Sequence, residues 1–344
     1  MQSSRFPLTV AALMAALLAL SGCVGAPTET PESADATAEA SAAATTETQE
    51  EAAGAFPVTI TNCGVETTYE AAPKAAVTMN QGATEVMLAL GLEDVMVGTA
   101  YLDDQISPRW EEAYKKVKVL SDEYPSKEEF LEAKADFAYA SYSSAFTDKA
   151  IGTREELAGE KVNTYISPFY CPEDADKAEG DMEHAWAEIA EIGKIFGVSD
   201  RADKLIEEQK NELAKLTEAA AGKGKKVFWF DSGDKEPFAG AGEGGPQIIM
   251  DAVGATNIFA DVPGNWETMS WEKVIEADPD VIVLAEASWS TAQSKIDYME
   301  NDPVLSKLKA VQAKAYVTLP FSETTPGVRL VDGADSLAEQ IASI

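Results

Sequence analysis

The chain is poor in the residues that most often carry out chemistry. It has one histidine, His184, in 344 residues. That argues against a zinc or manganese site, which converges several imidazoles and carboxylates, and it rules out an H-E-x-x-H helix, which needs two. A hydrolase of the α/β type needs a G-x-S-x-G elbow with a histidine after it. The elbow is missing, and His184 precedes the whole second half of the alternating pattern described below. Positive charge is scarce: 27 Lys and Arg stand against 59 Asp and Glu, a net charge of −32. Such a surface disfavours nucleic acid and anionic lipid faces, although plain solubility accounts for it equally well. The glycine-rich run Gly240–Pro246 has no basic residue and no G-x-x-x-x-G-K-[ST] pattern, so it reads as a turn and not a nucleotide site. Asp231, Asp234, Glu236 and Glu323 could hold a hard cation, but acids this common say little.

The N-terminus has a clear pattern. Arg5 is followed by an apolar run from Leu8 to Leu20, of signal-peptide length and too short for a typical spanning helix. The run ends in Leu20-Ser21-Gly22-Cys23, which resembles the bacterial lipobox. Residues 1–22 are therefore expected to be a lipoprotein signal peptide, with Cys23 taking a diacylglycerol thioether. Residues 23–55 would be the lipidated cysteine and an acidic Ala, Thr, Glu and Pro tether, expected to be disordered. The expected place is the outer face of the cytoplasmic membrane, anchored in the bilayer through Cys23. Only Cys63 and Cys171 are then left, and an oxidising compartment favours their disulfide. Two unrelated thiols are the alternative.

One phrase occurs twice. Residues 126–140 read SKEEFLEAKADFAYA and residues 270–284 read SWEKVIEADPDVIVL. Ser126/Ser270, Glu128/Glu272, Glu132/Glu276, Ala133/Ala277 and Asp136/Asp280 are identical in register. Each copy reads as a short capped helix leading through an Asp into a buried strand. Around each, strand and helix patterns alternate at short spacing, which argues for parallel-sheet α/β lobes. In the first lobe, Asn80–Thr84 reads as a loop capping a helix over Glu85–Leu90 that Gly91 closes. Between the lobes no strand pattern occurs. Met182–Phe196 is helical, Gly197 to Asp200 interrupt it, and a second helix runs to about Ala221 with Leu205, Gln209, Leu213, Leu216 and Ala220 on one stripe. The expected fold is α/β: two Rossmann-like lobes with parallel-rich central sheets joined by a single long helix. The first lobe would cover residues 56–180, the helical segment 181–222 and the second lobe 223–344.

Several local patterns, in order, carry a family resemblance. Pro73 precedes a strand, and Gly82-Ala83-Thr84-Glu85 precedes the helix that ends Ala89-Leu90-Gly91. Asp94 and Val97-Gly98 follow, then the two Glu-to-Asp phrases and the bridging helix, then Trp266 ahead of Ser270-Trp271-Glu272, and Gly327-Val328-Arg329. Over about residues 57–344 this resembles the periplasmic binding proteins of the helical-backbone type, which deliver ferric siderophores, haem or cobalamin to ABC importers. The resemblance implies a binding protein and not an enzyme, without a cofactor or bound metal. It implies a monomer partnered by a homodimeric or heterodimeric ABC permease. Glu128 and Glu272 match the carboxylates that dock on the permease, although a Glu in a first helical turn also stabilises the helix dipole by about 0.3–1 kcal/mol. The ligand is expected between the lobes at the carboxyl ends of strands. The side chains expected there are Asn80, Gln81, Tyr101, Tyr142 with Ser143, and Tyr170 from the first lobe. The second contributes Trp229, Phe238, Trp266, Trp289 and Phe321. Beyond Arg5 the arginines are Arg109, Arg154, Arg201 and Arg329, and four so scattered argue against the cationic cluster an anionic ferric catecholate demands, unless lysines contribute. A ferric hydroxamate is the favoured cargo. Cobalamin or haem in the same fold and, from a different class, an exported hydrolase are the alternatives.

Overall fold

The protein is described from a computed structural model, which covers residues 56–344 apart from 173, 174, 176 and 177. The expected signal peptide, the lipidation site Cys23 and the tether lie outside the described residues.

A hairpin of β1 (Val58–Asn62) and β2 (Val65–Tyr69) comes first. The first lobe then runs β3 (Ala76–Met79), α1 (Gln81–Ala89), β4 (Met96–Ala100), β5 (Val119–Ser121), α2 (Lys127–Glu132), β6 (Phe137–Ala140), α3 (Arg154–Gly159) and β7 (Asn163–Ile166). Its sheet has the order β5-β4-β3-β6-β7, with every pairing parallel. All residues of β3 and β6 are buried, as a parallel sheet covered on both faces requires. Helices α4 (Met182–Ile195) and α5 (Ser199–Ala219) follow. The second lobe runs β8 (Lys226–Ser232), β9 (Phe238–Gly240), α6 (Gly245–Ala252), β10 (Thr256–Asn257), β11 (Trp266–Thr268), α7 (Trp271–Ala277), β12 (Val281–Glu286), α8 (Ala292–Asn301), β13 (Tyr316–Pro320) and α9 (Leu330–Ala342). Its order is β11-β9-β8-β12-β13, with β10 beside β8. The core pairings are parallel, while β9 and β11 join antiparallel at one edge. The fold is thus the expected pair of parallel-rich lobes.

The repeated phrase performs the same structural task in each lobe. The Asp136 carboxylate accepts the backbone N–H groups of Lys74 and Ala75, each at 2.9 Å, and so pins the entry of central strand β3 to β6. The Asp280 carboxylate accepts the N–H of Lys226 at 2.7 Å, pinning β8 to β12 in the same way. That hydrogen bond, helped by Lys309, holds the Asp280 carboxyl below its usual range. The caps differ. Ser126 and Glu129 form a complete capping box on α2, whereas Ser270 makes no side-chain cap on α7.

Helix α1 begins at Gln81, four residues before the expected start at Glu85. Asn80, at φ +70°, turns the chain from β3 straight into the helix. The Thr84 hydroxyl donates to the Asn80 carbonyl at 2.9 Å, so no loop intervenes. Gly197, at φ +66°, separates α4 from α5. The 21 residues of α5 span about 32 Å and form the rigid bridge. Ala202 and Leu216 are buried on its inner stripe. Gln209, mid-stripe, accepts from the Trp186 indole of α4 at 2.8 Å and donates to the Val328 carbonyl of the second lobe at 2.7 Å.

Cys63 and Cys171 form a disulfide with Cα atoms 5.3 Å apart, tying the β1–β2 turn to the segment after β7. Arg154 reinforces this edge by donating to Thr164 Oγ1 at 2.8 Å and to the Asn62 carbonyl at 2.9 Å. The bond closes a loop with a sequence separation of 108 residues. The double variant Cys63→Ala, Cys171→Ala should lose about 2–5 kcal/mol of unfolding free energy in denaturant melts. A loss below about 0.5 kcal/mol would show that the bridge constrains nothing.

Candidate functional site

The carboxyl ends of the strands carry aromatic side chains in both lobes. Tyr101 follows β4 and meets Tyr124, which follows β5, edge to face with centroids 4.7 Å apart. Tyr142 follows β6 and meets Tyr170, which follows β7, at 4.6 Å. Tyr124 was not anticipated from the sequence. Its hydroxyl donates to Asn80 Oδ1 at 3.0 Å and lies 3.0 Å from Ser144 Oγ, which locks its ring. The only cue was an aromatic just past a short strand, in Ser121-Asp122-Glu123-Tyr124-Pro125. Asp103, also missed, accepts from the Gln81 N–H at 3.4 Å. Burial raises its carboxyl to about 6.

The second lobe supplies a cluster around Phe321, which follows β13. Trp289 stands edge to face with it at 5.0 Å, and Trp266 of β11 is tilted against it at 6.5 Å. Trp289 is 55% exposed and Phe238 of β9 is 37% exposed. The loop bearing Trp289 is pinned from beneath by Lys295, a buried lysine whose ammonium donates to the carbonyls of Ala285 and Ser290. Burial lowers that ammonium to about 8. The Trp266 indole N–H is buried with no hydrogen-bond partner among the described residues.

Acids of both lobes act on the same phenols. Burial raises the phenols of Tyr142 and Tyr170 well above their usual value, and the charges of Asp103 from the first lobe and Asp231 from the second add to the effect. Asp231, near the end of β8, is itself buried, and its carboxyl is raised for that reason. Gly180 of the first lobe abuts Glu243 of the second so closely that a Cβ there would lie 1.9 Å from the Glu243 carbonyl oxygen. A pocket of about 290 Å³ lies at this seam, lined by Phe169, Ala178, Glu179, Gly180, Gly242, Glu243 and Asn265. The glycine-rich run is therefore a close-packed turn against the other lobe.

A second contact closes the lobes behind the aromatics. Arg329 is buried and donates to Glu323 Oε1 and, at 2.7 Å, to Ser322 Oγ, while Glu85 of α1 lies 3.8 Å from its Nε. Ser322 in turn donates to Asp104 Oδ2 at 2.9 Å, and Arg109 pairs with Asp332. Two guanidinium groups here meet Glu85, Glu323 and Asp332, so one acid is in excess. Burial raises Glu85 to about 7 against the pull of Arg329. It also raises Glu323.

Not every expected ligand contact stands in the cleft. Gln81 is buried and spent on Glu85 Oε1 at 2.9 Å and the Gln105 carbonyl at 3.2 Å. Asn80 is buried and holds Tyr124. Trp229 is fully buried, in a core cluster with Ile248, Val283 and Val317. It lies three residues short of the end of β8, and its face of the sheet turns toward the helices. These three are corrections. Asn80 and Gln81 support the wall, and Trp229 packs the core. Tyr101, Tyr142, Tyr170, Phe238, Trp266, Trp289 and Phe321 remain near strand ends. His184 lies apart, half-exposed on α4 and 2.7 Å from Asp181. Glu128 and Glu272 are exposed in the first turns of α2 and α7.

Two α/β lobes, one helical bridge and aromatic side chains at the strand ends of both lobes define a two-lobed binding protein. The chain belongs to the periplasmic binding protein family, which matches residues 77–323. An uncharacterized ABC transporter substrate-binding lipoprotein of Bacillus subtilis (strain 168), YvrC, is 28% identical over 292 residues, 83% of this chain and 86% of that protein. The crystal structure of a periplasmic binding protein from Veillonella parvula is 35% identical, with a TM-score of 0.74 over 83% of this chain and 98% of that one. An ABC-type Fe3+-hydroxamate transport system from Saccharomonospora viridis gives a TM-score of 0.70 at 24% identity over 83% of this chain and 99% of that one, a likeness of fold.

The buried acids set a pH dependence. Glu188 lies between the hydroxyls of Tyr139 and Ser167, and burial raises its carboxyl to about 7 from an ordinary 4.5. Glu85 shares that value and Asp103 reaches about 6. Between pH 4.5 and 7 the folded chain thus holds protons that the unfolded chain has released, and stability falls as pH rises. The melting temperature should drop between pH 5.5 and 7.5, and Glu188→Gln should flatten part of that drop. An unchanged slope in the variant would contradict the assignment.

Proposed function

We propose that the protein is the substrate-binding component of an ABC importer. It is held by a lipid on Cys23 to the outer face of the cytoplasmic membrane, and it captures a ferric hydroxamate in the interlobe cleft. One observation carries the choice of cargo: every described arginine is already engaged by protein groups. Arg109 pairs with Asp332, Arg154 holds Asn62 and Thr164, Arg201 caps the end of α1 at Leu90 and Gly91, and Arg329 sits in the interlobe knot. The walls offer phenols, indoles and the acids Asp103 and Asp231. A triply anionic catecholate would meet repulsion there, whereas a neutral or weakly charged chelate meets little and can lay apolar atoms on the rings. The protein performs no chemistry on the cargo. Glu128 and Glu272 meet the permease, one from each lobe. Haem or cobalamin in the same cleft is the second reading, favoured by the grouping of the aromatic side chains Trp266, Phe321 and Trp289.

A ferric trihydroxamate should quench tryptophan fluorescence at submicromolar concentration, and Trp289→Ala should weaken that binding about tenfold or more. Quenching by haem or cobalamin with none by any hydroxamate would overturn the cargo assignment. Glu128→Lys with Glu272→Lys should abolish uptake and leave ligand affinity unchanged; normal uptake by that variant would refute the docking role.

A further inference from the structure

Two carboxylates near the aromatic side chains have no counter-ion. Asp231 is 7% exposed, and its side chain takes one hydrogen bond, from Ser232 Oγ at 2.9 Å. Lys295 acts on it through space, but that ammonium is spent on the carbonyls of Ala285 and Ser290. Asp103 accepts a long bond from the Gln81 N–H at 3.4 Å, and its neighbour Asp104 adds a second negative charge. Neither Asp103 nor Asp231 is in an ion pair among the described residues. Burying a carboxylate with so little compensation is costly. Asp136 and Asp280 offset that cost by pinning central strands. Asp103 and Asp231 pin nothing comparable.

Short contacts bring the two acids to one place. Asp104, next to Asp103 in the chain, accepts from Ser322 Oγ across the seam at 2.9 Å. Ser322 follows Phe321, on which Trp266 and Trp289 pack. Ser290, next to Trp289, donates to the Asp231 carbonyl at 3.4 Å. Asp103 thus comes from the first lobe and Asp231 from the second, both at the Phe321 cluster. The charges of both act on the paired rings of Tyr142 and Tyr170. A third polar group there is unspent. The Tyr170 hydroxyl is buried and has no hydrogen-bond partner among the described residues. Tyr101 and Trp289 are exposed, so the place is open to solvent.

We propose that Asp103, Asp231 and the Tyr170 hydroxyl form a subsite for a protonated amine on the cargo. This rests on the hydroxamate reading and adds a charge to it: the cargo is a ferric hydroxamate with an ammonium-bearing arm. An ammonium donates three hydrogen bonds and accepts none. Two carboxylates and a phenol oxygen supply three acceptors, and bonds from a cation to a carboxylate are the strong kind. A bare metal ion fits less well, because no three His, Cys, Asp or Glu side chains among the described residues are grouped to hold one. One carboxylate belongs to each lobe, so the arm is gripped from both sides of the seam. The subsite sorts chelates by charge. It repels an anionic one, is indifferent to a neutral one and favours a cationic one. The rings of Trp266, Trp289 and Phe321 are left for the apolar part of the chelate.

The test titrates two probes into the full chain in detergent, read by tryptophan quenching at neutral pH. One is a linear ferric trihydroxamate with a free terminal amine. The other is the same chelate with that amine acetylated, so the two differ by one positive charge. The free-amine probe should bind at least tenfold tighter. Asp103→Asn with Asp231→Asn should cut that ratio below threefold, whereas Trp289→Ala should weaken both probes and keep the ratio. Melting curves check that the double variant folds. If it melts early, Asp103→Asn alone, at the less buried acid, should still lower the ratio at least threefold. Probes that bind the unaltered chain within twofold of each other, or a ratio that the Asn substitutions leave unchanged, overturn this proposal and leave the hydroxamate reading standing. Binding of neither probe overturns both.

Discussion

The two lobes meet around a buried charge. Arg329 is supplied by the second lobe, beside Glu323 and Ser322, and Glu85 approaches it from the first. Glu323 and Ser322 keep the guanidinium paired within its own lobe, and Glu85 at 3.8 Å together with the Ser322–Asp104 hydrogen bond carries the polar contact across the seam. The backbone is shaped for that contact. A Cβ on Gly82 would stand 2.8 Å from the Pro326 carbonyl oxygen. The early start of α1 at Gln81 belongs to the same arrangement, since it delivers both Gly82 and Glu85 to the seam. Gln209, shared between the helical segment and Val328, adds a neutral tie to the charged one.

With the back of the molecule fixed, the front is free to be a recognition surface. Its side chains come from strand ends, but their positions depend on polar groups underneath: Asn80 under Tyr124 and Lys295 under the Trp289 loop. Arg109, Arg154, Arg201 and Arg329 are all engaged by protein groups.

The architecture was legible because the repeated phrase encodes it locally. A capped helix, an Asp and an apolar run mean the same thing in both lobes, and Asp136 and Asp280 prove to be strand pins that neither copy can easily lose. The site was less legible for a physical reason. In a parallel sheet both faces are apolar, so sequence alternation does not tell which side chain reaches the rim. Trp229 and Phe230 are adjacent in sequence yet belong to different core clusters. Buried acids were invisible for another reason. Glu85, Glu188 and Asp103 sit in a chain so rich in acids that none stands out, and what makes them special is enclosure by residues distant in sequence. Tyr124 was missed because β5 has only three residues and carries almost no pattern of its own.

The pairing of Glu128 with Glu272 has a kinetic side. If, as proposed, they meet a permease built from two identical subunits, two arrivals of this protein related by a half-turn would be equally productive, and twice as many approach orientations would succeed.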